Sequence, residues 1–123
     1  MKPRPVYLNL LQIRQPLPAI VSVLHRVSGV ILFLLLPLLL WLLAKSLASE
    51  ASFNALKQPF THPVLRFFIW VTLSALIYHL VAGIRHLLMD MGVGESLKGG
   101  RAGAYLVLVI SIVLIIFAGI CLW

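Results

Sequence analysis

The sequence has little negative charge and almost no cysteine. Of its 123 residues, three are Asp or Glu and ten are Lys or Arg. Charged residues make up 11% of the chain, whereas soluble domains carry about 25%. Cys121 is the single cysteine, so no disulfide can form within the chain. These shortages exclude an ordinary soluble domain with a charged surface, as well as a small disulfide-stabilised protein.

Apolar residues dominate instead, at 62% of the chain and a mean hydropathy of +1.08. Three charge-free stretches, Val27–Ala44, Phe67–Ile84 and Ala102–Trp123, approach or exceed the roughly 20 residues that cross a bilayer. Backbone groups in hydrocarbon must pair internally, so these stretches are predicted to be helices. We expect an all-α membrane protein in which residues 1–123 form one membrane-anchor domain, with transmembrane helices at about 21–48, 63–90 and 102–123. We expect the first span to be retained rather than cleaved as a signal peptide, to continue past Pro37, and to be followed by a polar outer loop from Ser46 to Pro63.

The positive charges predict the orientation. They are scattered among apolar runs, so membrane lipid is an expected partner and nucleic acid is not. Seven of the ten flank one side of the membrane: Lys2, Arg4, Arg14, Arg26, Arg85, Lys98 and Arg101. Basic residues accumulate in cytoplasmic segments. We therefore expect a multi-pass protein of a bacterial inner membrane, with its N-terminus cytoplasmic and its C-terminus periplasmic.

The polar residues inside the spans are the candidate functional residues, because they are expensive in a membrane. His79, in YHLVAGIRHLLMD, is the clearest. A neutral imidazole is a natural axial ligand of haem iron, but an interhelical hydrogen bond is an equally simple explanation. His86 lies two turns away, at the boundary, where it suits either a haem propionate or the lipid headgroups. No acidic residue lies in mid-membrane, which argues against a proton-coupled exporter.

A second polar cluster opens the first span, in the segment SVLHRVSG. It comprises Ser22, His25, Arg26 and Ser28. Ser22 lies three residues from His25 and four from Arg26, so the three share a helix face. Together they could bind a carbonyl or a propionate, although a basic helix start that reaches the headgroups would look the same. The predicted topology places this cluster at the same depth as Arg85 and His86, just above His79, and so predicts one site in one leaflet.

The segments RPVYLNLLQIRQPLPAIVSVLHRVSG and YHLVAGIRHLLMD carry a resemblance over essentially the whole chain. The chain resembles the large cytochrome b membrane-anchor subunit of bacterial succinate dehydrogenase, or respiratory complex II. This implies that it is one half of a heterodimeric anchor that shares haem b with a second small anchor subunit. A flavoprotein subunit and an iron–sulfur subunit complete such a complex and pass electrons from succinate to ubiquinone. The anchor itself does not oxidise succinate.

The resemblance also implies roles for individual residues. His79 matches the axial ligand of the haem iron, and Ser22 and Arg26 match residues that line the ubiquinone pocket. His25 and Arg26 match positions close to the haem propionates, and His86 is a further contact there. Two alternatives stay open. One is the anchor of a fumarate reductase-type complex, and the other is a structural membrane subunit without a cofactor.

Overall fold

A computed structural model describes residues 13–123, and within this range the chain is helical and contains no strand. The elements are α1 (Leu17–Ala48), α2 (Glu50–Lys57), a 3-10 turn (Pro59–Thr61), α3 (Pro63–Asp90) and α4 (Leu97–Leu122). The predicted all-α class is confirmed. Helices α1, α3 and α4 are each long and apolar enough to cross a membrane, which confirms the three predicted spans.

The apolar surface of the three long helices points mostly outward. Few hydrophobic side chains are buried within the described residues: Val21, Ala82, Ala104 and Val107. Large apolar side chains such as Phe33, Leu47 and Ile120 are exposed instead. A helix that is hydrophobic all round belongs in lipid or against another apolar surface. The outward surface is therefore suited to lipid and to other membrane subunits.

Two of the long helices begin earlier than the sequence suggested. Helix α1 starts at Leu17, after Pro16, and continues through Pro37. Helix α4 starts at Leu97 rather than at about 102, because Ser96 caps it: its Oγ accepts a hydrogen bond from the Gly99 N–H at 3.0 Å. The expectation counted from the last charge, Arg101. A serine N-cap provides a local reason for the helix to start sooner.

The segment predicted as a polar outer loop contains a short helix. Ser49 caps α2 by accepting a hydrogen bond from the Ser52 N–H at 3.1 Å. The Ser52 hydroxyl donates to the carbonyl of Lys45 at 2.7 Å, which ties α2 to the end of α1. Eight residues are too few for a pattern search to recognise, since helices this short depend on caps and tertiary contacts.

Helix α3 packs against both α1 and α4, which also contact each other. On the α1 side, the Tyr78 hydroxyl donates to the carbonyl of Val21 at 2.9 Å. On the α4 side, the Trp70 Nε1–H donates to the carbonyl of Ile115 at 3.0 Å. Interhelical hydrogen bonds of this kind hold membrane helices together where no hydrophobic effect does. These bonds determine which face of α3 packs against α1 and which packs against α4.

Candidate functional site

Three imidazole rings meet where the first third of α1 crosses the second half of α3. The His25 ring stacks on the His79 ring, with centroids 4.2 Å apart and planes 14° apart. On its other side, His25 lies 5.0 Å from the His86 ring at a tilt of 43°. The structure therefore brings together the three histidines that the sequence singled out. We call His25, His79 and His86 the histidine cluster.

The His79 ring is held through its Nδ1 atom. This nitrogen lies 3.1 Å from the Ser28 hydroxyl and 3.2 Å from the backbone carbonyl of His25. The Ser28 hydroxyl in turn donates to the same carbonyl at 2.8 Å. Within residues 13–123, the other ring nitrogen, Nε2, makes no hydrogen bond. One side of the imidazole is thus anchored to α1, and the other side is left with a donor atom that a metal could use.

A glycine on α1 allows this close approach. A Cβ atom on Gly29 would lie 3.0 Å from His79 Cε1, which is tighter than most such contacts and would require the ring to shift by a few tenths of an ångström. Gly83, on α3, faces back toward α1, where a Cβ would lie 3.4 Å from His25 Nε2, an ordinary contact. Small residues at crossing points let membrane helices come close together. Gly29 is therefore the position that seats the His79 ring against the α1 backbone.

The histidine cluster borders an open groove of about 370 Å³. The groove is lined by His25, His79, Leu80, Gly83, Ile84, His86 and Leu87. His25 Nε2 is buried and has no hydrogen-bond partner among the described residues. A buried polar atom without a partner is costly and calls for an explanation. A cofactor that supplies a polar group at this point would provide one.

The donor set suits a metal that already sits in a macrocycle better than a bare ion. Residues 13–123 contain no group of three or more His, Cys, Asp and Glu side chains arranged to hold a metal ion. The groove instead offers single imidazole nitrogens between apolar walls formed by Leu80, Ile84 and Leu87. Haem iron needs only one imidazole on each face, since the porphyrin supplies its other ligands.

Ser22 and Arg26 lie beside this groove, and neither lines it. Ser22 is half-buried and Arg26 is exposed. Successive residues turn by about 100° around a helix, so when His25 faces α3, Arg26 points to the rim. The guanidinium and the hydroxyl are therefore free to meet a molecule that approaches from outside the α1–α3 pair.

Arg85 does not join its neighbour His86. Its side chain is buried against α4, where one terminal nitrogen donates to the carbonyl of Gly100 at 3.2 Å. A Cβ atom on Gly103 would lie 3.1 Å from Arg85 Nε, so α4 leaves room for the guanidinium stem. The sequence placed Arg85 at the depth of the site. Adjacent residues differ by about 100° around a helix, so Arg85 faces α4 while His86 faces α1.

Sequence reasoning gave no role to Ser28 or Gly29, and both contact His79. The signal that could have found them is their spacing. They lie three and four residues after His25, on the same face of α1. With His25, they form the surface against which the His79 ring rests.

The comparisons with known proteins identify the family of the chain. Residues 1–118 match the family described as the succinate dehydrogenase/fumarate reductase transmembrane subunit. The chain is similar to a "Succinate dehydrogenase cytochrome b556 subunit" of Coxiella burnetii, with 46% identity over 98% of this chain and 97% of that protein. Proteins with the same name in Paracoccus denitrificans and Rickettsia bellii are 33% and 30% identical. They align over 90% and 89% of this chain, and over 85% of each relative.

These matches span nearly the whole chain and include both motif segments. The resemblance drawn from HRVSG and from the histidines of α3 is confirmed at the level of the family. The relatives carry the name of a cytochrome b subunit. The chain belongs to the succinate dehydrogenase/fumarate reductase transmembrane subunits.

Proposed function

We propose that this chain is a membrane-anchor subunit of a succinate:ubiquinone oxidoreductase. In this proposal it binds haem b together with a second small anchor subunit and forms part of the ubiquinone reduction site. The observation that carries the proposal is the state of His79. Its Nδ1 is anchored to α1 while its Nε2 makes no hydrogen bond in the described part of the chain. Metal-binding histidines are typically held in this way.

The residues around His79 fit a haem. His79 would ligate the iron through Nε2, and the groove that it borders has apolar walls for the porphyrin. His25 Nε2, buried without a partner, would face a propionate, as would His86 and, from the rim, Arg26. When bound, haem b supplies a one-electron redox centre next to the quinone site.

The quinone contacts would come from the rim of the histidine cluster. Arg26 is exposed and Ser22 is half-buried one helical turn away, so both can point at one carbonyl oxygen. The Arg26 guanidinium would polarise that oxygen and the Ser22 hydroxyl would donate to it. Hydrogen bonds from charged donors are the stronger kind. Protons for the reduced quinone would arrive from the cytoplasmic side.

The rest of the electron path lies in partner subunits. The described residues form helices and short connections, and succinate oxidation is assigned to a flavoprotein subunit that an iron–sulfur subunit connects to the anchor. The second anchor subunit would supply the other axial ligand of the iron. The large exposed apolar surface of α1, α3 and α4 supports a partner within the membrane.

The charge distribution supports a cytoplasmic N-terminus and a periplasmic C-terminus in the bacterial inner membrane. This orientation places the histidine cluster in the cytoplasmic leaflet, on the side where soluble partners would dock. A reporter enzyme fused after Trp123 should be active outside the cytoplasm. Cytoplasmic activity would contradict both the orientation and the leaflet assigned to the site.

A second candidate keeps the site and reverses the reaction. The family description names fumarate reductase beside succinate dehydrogenase, and the same anchor could deliver electrons from a quinol. The relatives compared above are all named as succinate dehydrogenase subunits, which favours succinate oxidation. A structural subunit without a cofactor is the alternative that the following experiment separates.

The experiment isolates this chain from native membranes through an affinity tag and records a reduced-minus-oxidised absorbance spectrum. We expect a b-type signal, together with flavin and iron–sulfur subunits in the same material. If the partner subunits were present without haem, the chain would still be a membrane anchor, and His79 would be a packing residue. If neither haem nor partners were present, the chain would be a structural subunit without this cofactor.

A further inference from the structure

The Ser28 hydroxyl lies in the contact between α1 and His79. Its side chain is 6% exposed. Its proton is directed to the carbonyl of His25, three residues earlier, at 2.8 Å. The oxygen therefore presents its lone pairs to His79 Nδ1, which lies 3.1 Å away. A hydroxyl can donate one proton and accept two, so Ser28 acts as an acceptor toward the imidazole.

The second neighbour of Nδ1 has the same character. The carbonyl of His25 lies 3.2 Å from Nδ1, and a carbonyl oxygen can only accept. Because this carbonyl cannot donate, its hydrogen bond with Nδ1 requires the proton to lie on Nδ1, and the Ser28 oxygen then accepts from the same N–H. The neutral imidazole has one N–H and one lone pair. The lone pair consequently lies on Nε2.

We infer that Ser28 is a positioning residue that fixes the tautomer and orientation of His79 and, through them, the properties of the haem iron. This inference rests on the proposed haem ligation. Hydrogen bonds from the other ring nitrogen generally make a ligating imidazole a stronger electron donor to its metal. A more basic ligand binds iron more tightly and favours its oxidised state. Gly29 completes the arrangement, because it lets the ring come within reach of both acceptors.

Replacing Ser28 removes one of the two acceptors and leaves the backbone carbonyl in place. Loss of such supporting hydrogen bonds typically weakens metal binding by about 10- to 100-fold. Since one acceptor remains, the effect should lie near the lower end of that range. We expect the S28A variant to lose haem about tenfold faster and its reduction potential to become more positive.

The experiment uses the complex purified through the tagged chain. It compares the wild type with the variants S28A, S28T and S111A. The readouts are the rate of haem transfer to an excess of a haem-scavenging apoprotein and the midpoint potential from a spectroscopic redox titration. Threonine keeps a hydroxyl that can bond to the carbonyl three or four residues earlier, so S28T should stay close to the wild type. Ser111 is the matched control, because it is a buried serine of α4 without a hydrogen-bond partner in residues 13–123.

The outcomes separate this inference from the proposed function. If the wild type contains no haem, the proposed function fails and the role of Ser28 fails with it. If the wild type contains haem and S28A behaves like S111A, haem ligation stands and the role of Ser28 is wrong. The role is also wrong if S28T shows the same change as S28A. Should S28A fail to assemble, S28C preserves most of the volume with a weak acceptor, and an unchanged potential in S28C would overturn the inference.

Discussion

The two faces of α3 use polar side chains in different ways. Toward α4, Trp70 and Arg85 each donate to a backbone carbonyl of that helix, at 3.0 and 3.2 Å. Toward α1, His79 is held through one nitrogen, and the neighbouring His25 has a buried nitrogen without a partner in the described range. The α4 face fastens two helices. The α1 face fastens two helices and also leaves Nε2 of His79 and the buried Nε2 of His25 without a hydrogen-bond partner in residues 13–123.

The difference shows how a site can be distinguished from a structural contact in a membrane protein. Both faces contain polar groups, so polarity alone does not separate them. The buried Nε of Arg85 has no partner among residues 13–123 either, but it lies against Gly103, and another nitrogen of the same group is bonded. The histidine cluster instead borders an open groove. Imidazole nitrogens beside a groove and without a hydrogen-bond partner among the described residues, rather than buried polarity alone, distinguish the candidate site from a structural contact.

The largest expected effect is on the α1 face. The H79A variant should lose the b-type absorbance completely and still insert into the membrane, because the change removes the proposed iron ligand and keeps the apolar length of α3. The measurement is the reduced-minus-oxidised spectrum of the complex, normalised to the amount of this chain.

The matched control for H79A is H62A. His62 lies at the exposed start of the same helix, where its Nδ1 accepts a hydrogen bond from the Val64 N–H at 3.3 Å. Its removal should lower the stability of the helix by less than a typical N-cap contribution, which is about 1 kcal/mol. The haem spectrum should stay unchanged. A normal haem signal in H79A would make the two faces of α3 equivalent and remove the ligand assignment.

A smaller effect is expected at the rim of the histidine cluster. The R26L variant should lower ubiquinone reduction by about tenfold or more, since a hydrogen bond from a charged group contributes ~1.5–3 kcal/mol. Succinate oxidation with an artificial dye, which bypasses the quinone site, should change little. The assay is the ratio of the two rates, with R66L as the control, because the Arg66 Nε bonds to the carbonyl of Phe60 at the other end of α3. An equal loss in both assays would mean that Arg26 serves assembly.

The smallest effect is expected on the α4 face. The W70F variant loses the hydrogen bond to Ile115, and interhelical hydrogen bonds in membranes contribute about 0.6 kcal/mol on average. We expect a slightly lower thermal stability of the complex in detergent and an unchanged haem spectrum. A haem signal that shifts in W70F would show that the two faces of α3 are coupled and would contradict their separate roles.

Much of the fold follows from the sequence because a bilayer allows few solutions. Charge-free length and internally paired backbone lead to three helices, and the antiparallel order of α1 and α3 then places His25 near His79. The first residues of the helices were harder to predict. Ser96 and Pro16 set where α4 and α1 begin, whereas the prediction used the positions of the nearest charges. The short α2 could not be foreseen, because its hydrogen bonds to Ser49 and Lys45 exist only after the chain turns.

For the site, the sequence identified the ring-bearing residues and missed their support. His79 stands out because an imidazole in mid-membrane is rare. The sequence placed Ser28 in the polar cluster of the first span but did not predict its contact with His79, because that contact depends on a rotamer that points at another helix. Arg85 shows the converse: its position along the chain is next to His86, yet the rotation of the helix turns it toward Gly100.

The carbonyl of His25 and the imidazole of His79 come from different membrane spans. The orientation of His79 can therefore arise only after α1 and α3 have inserted and paired. In a newly made chain whose spans are still separate, the His79 ring would lack its hydrogen bonds to α1, and neither its orientation nor its tautomer would be fixed. With His79 as the proposed ligand, haem binding would thus follow the pairing of α1 and α3 and would report that these two spans have assembled.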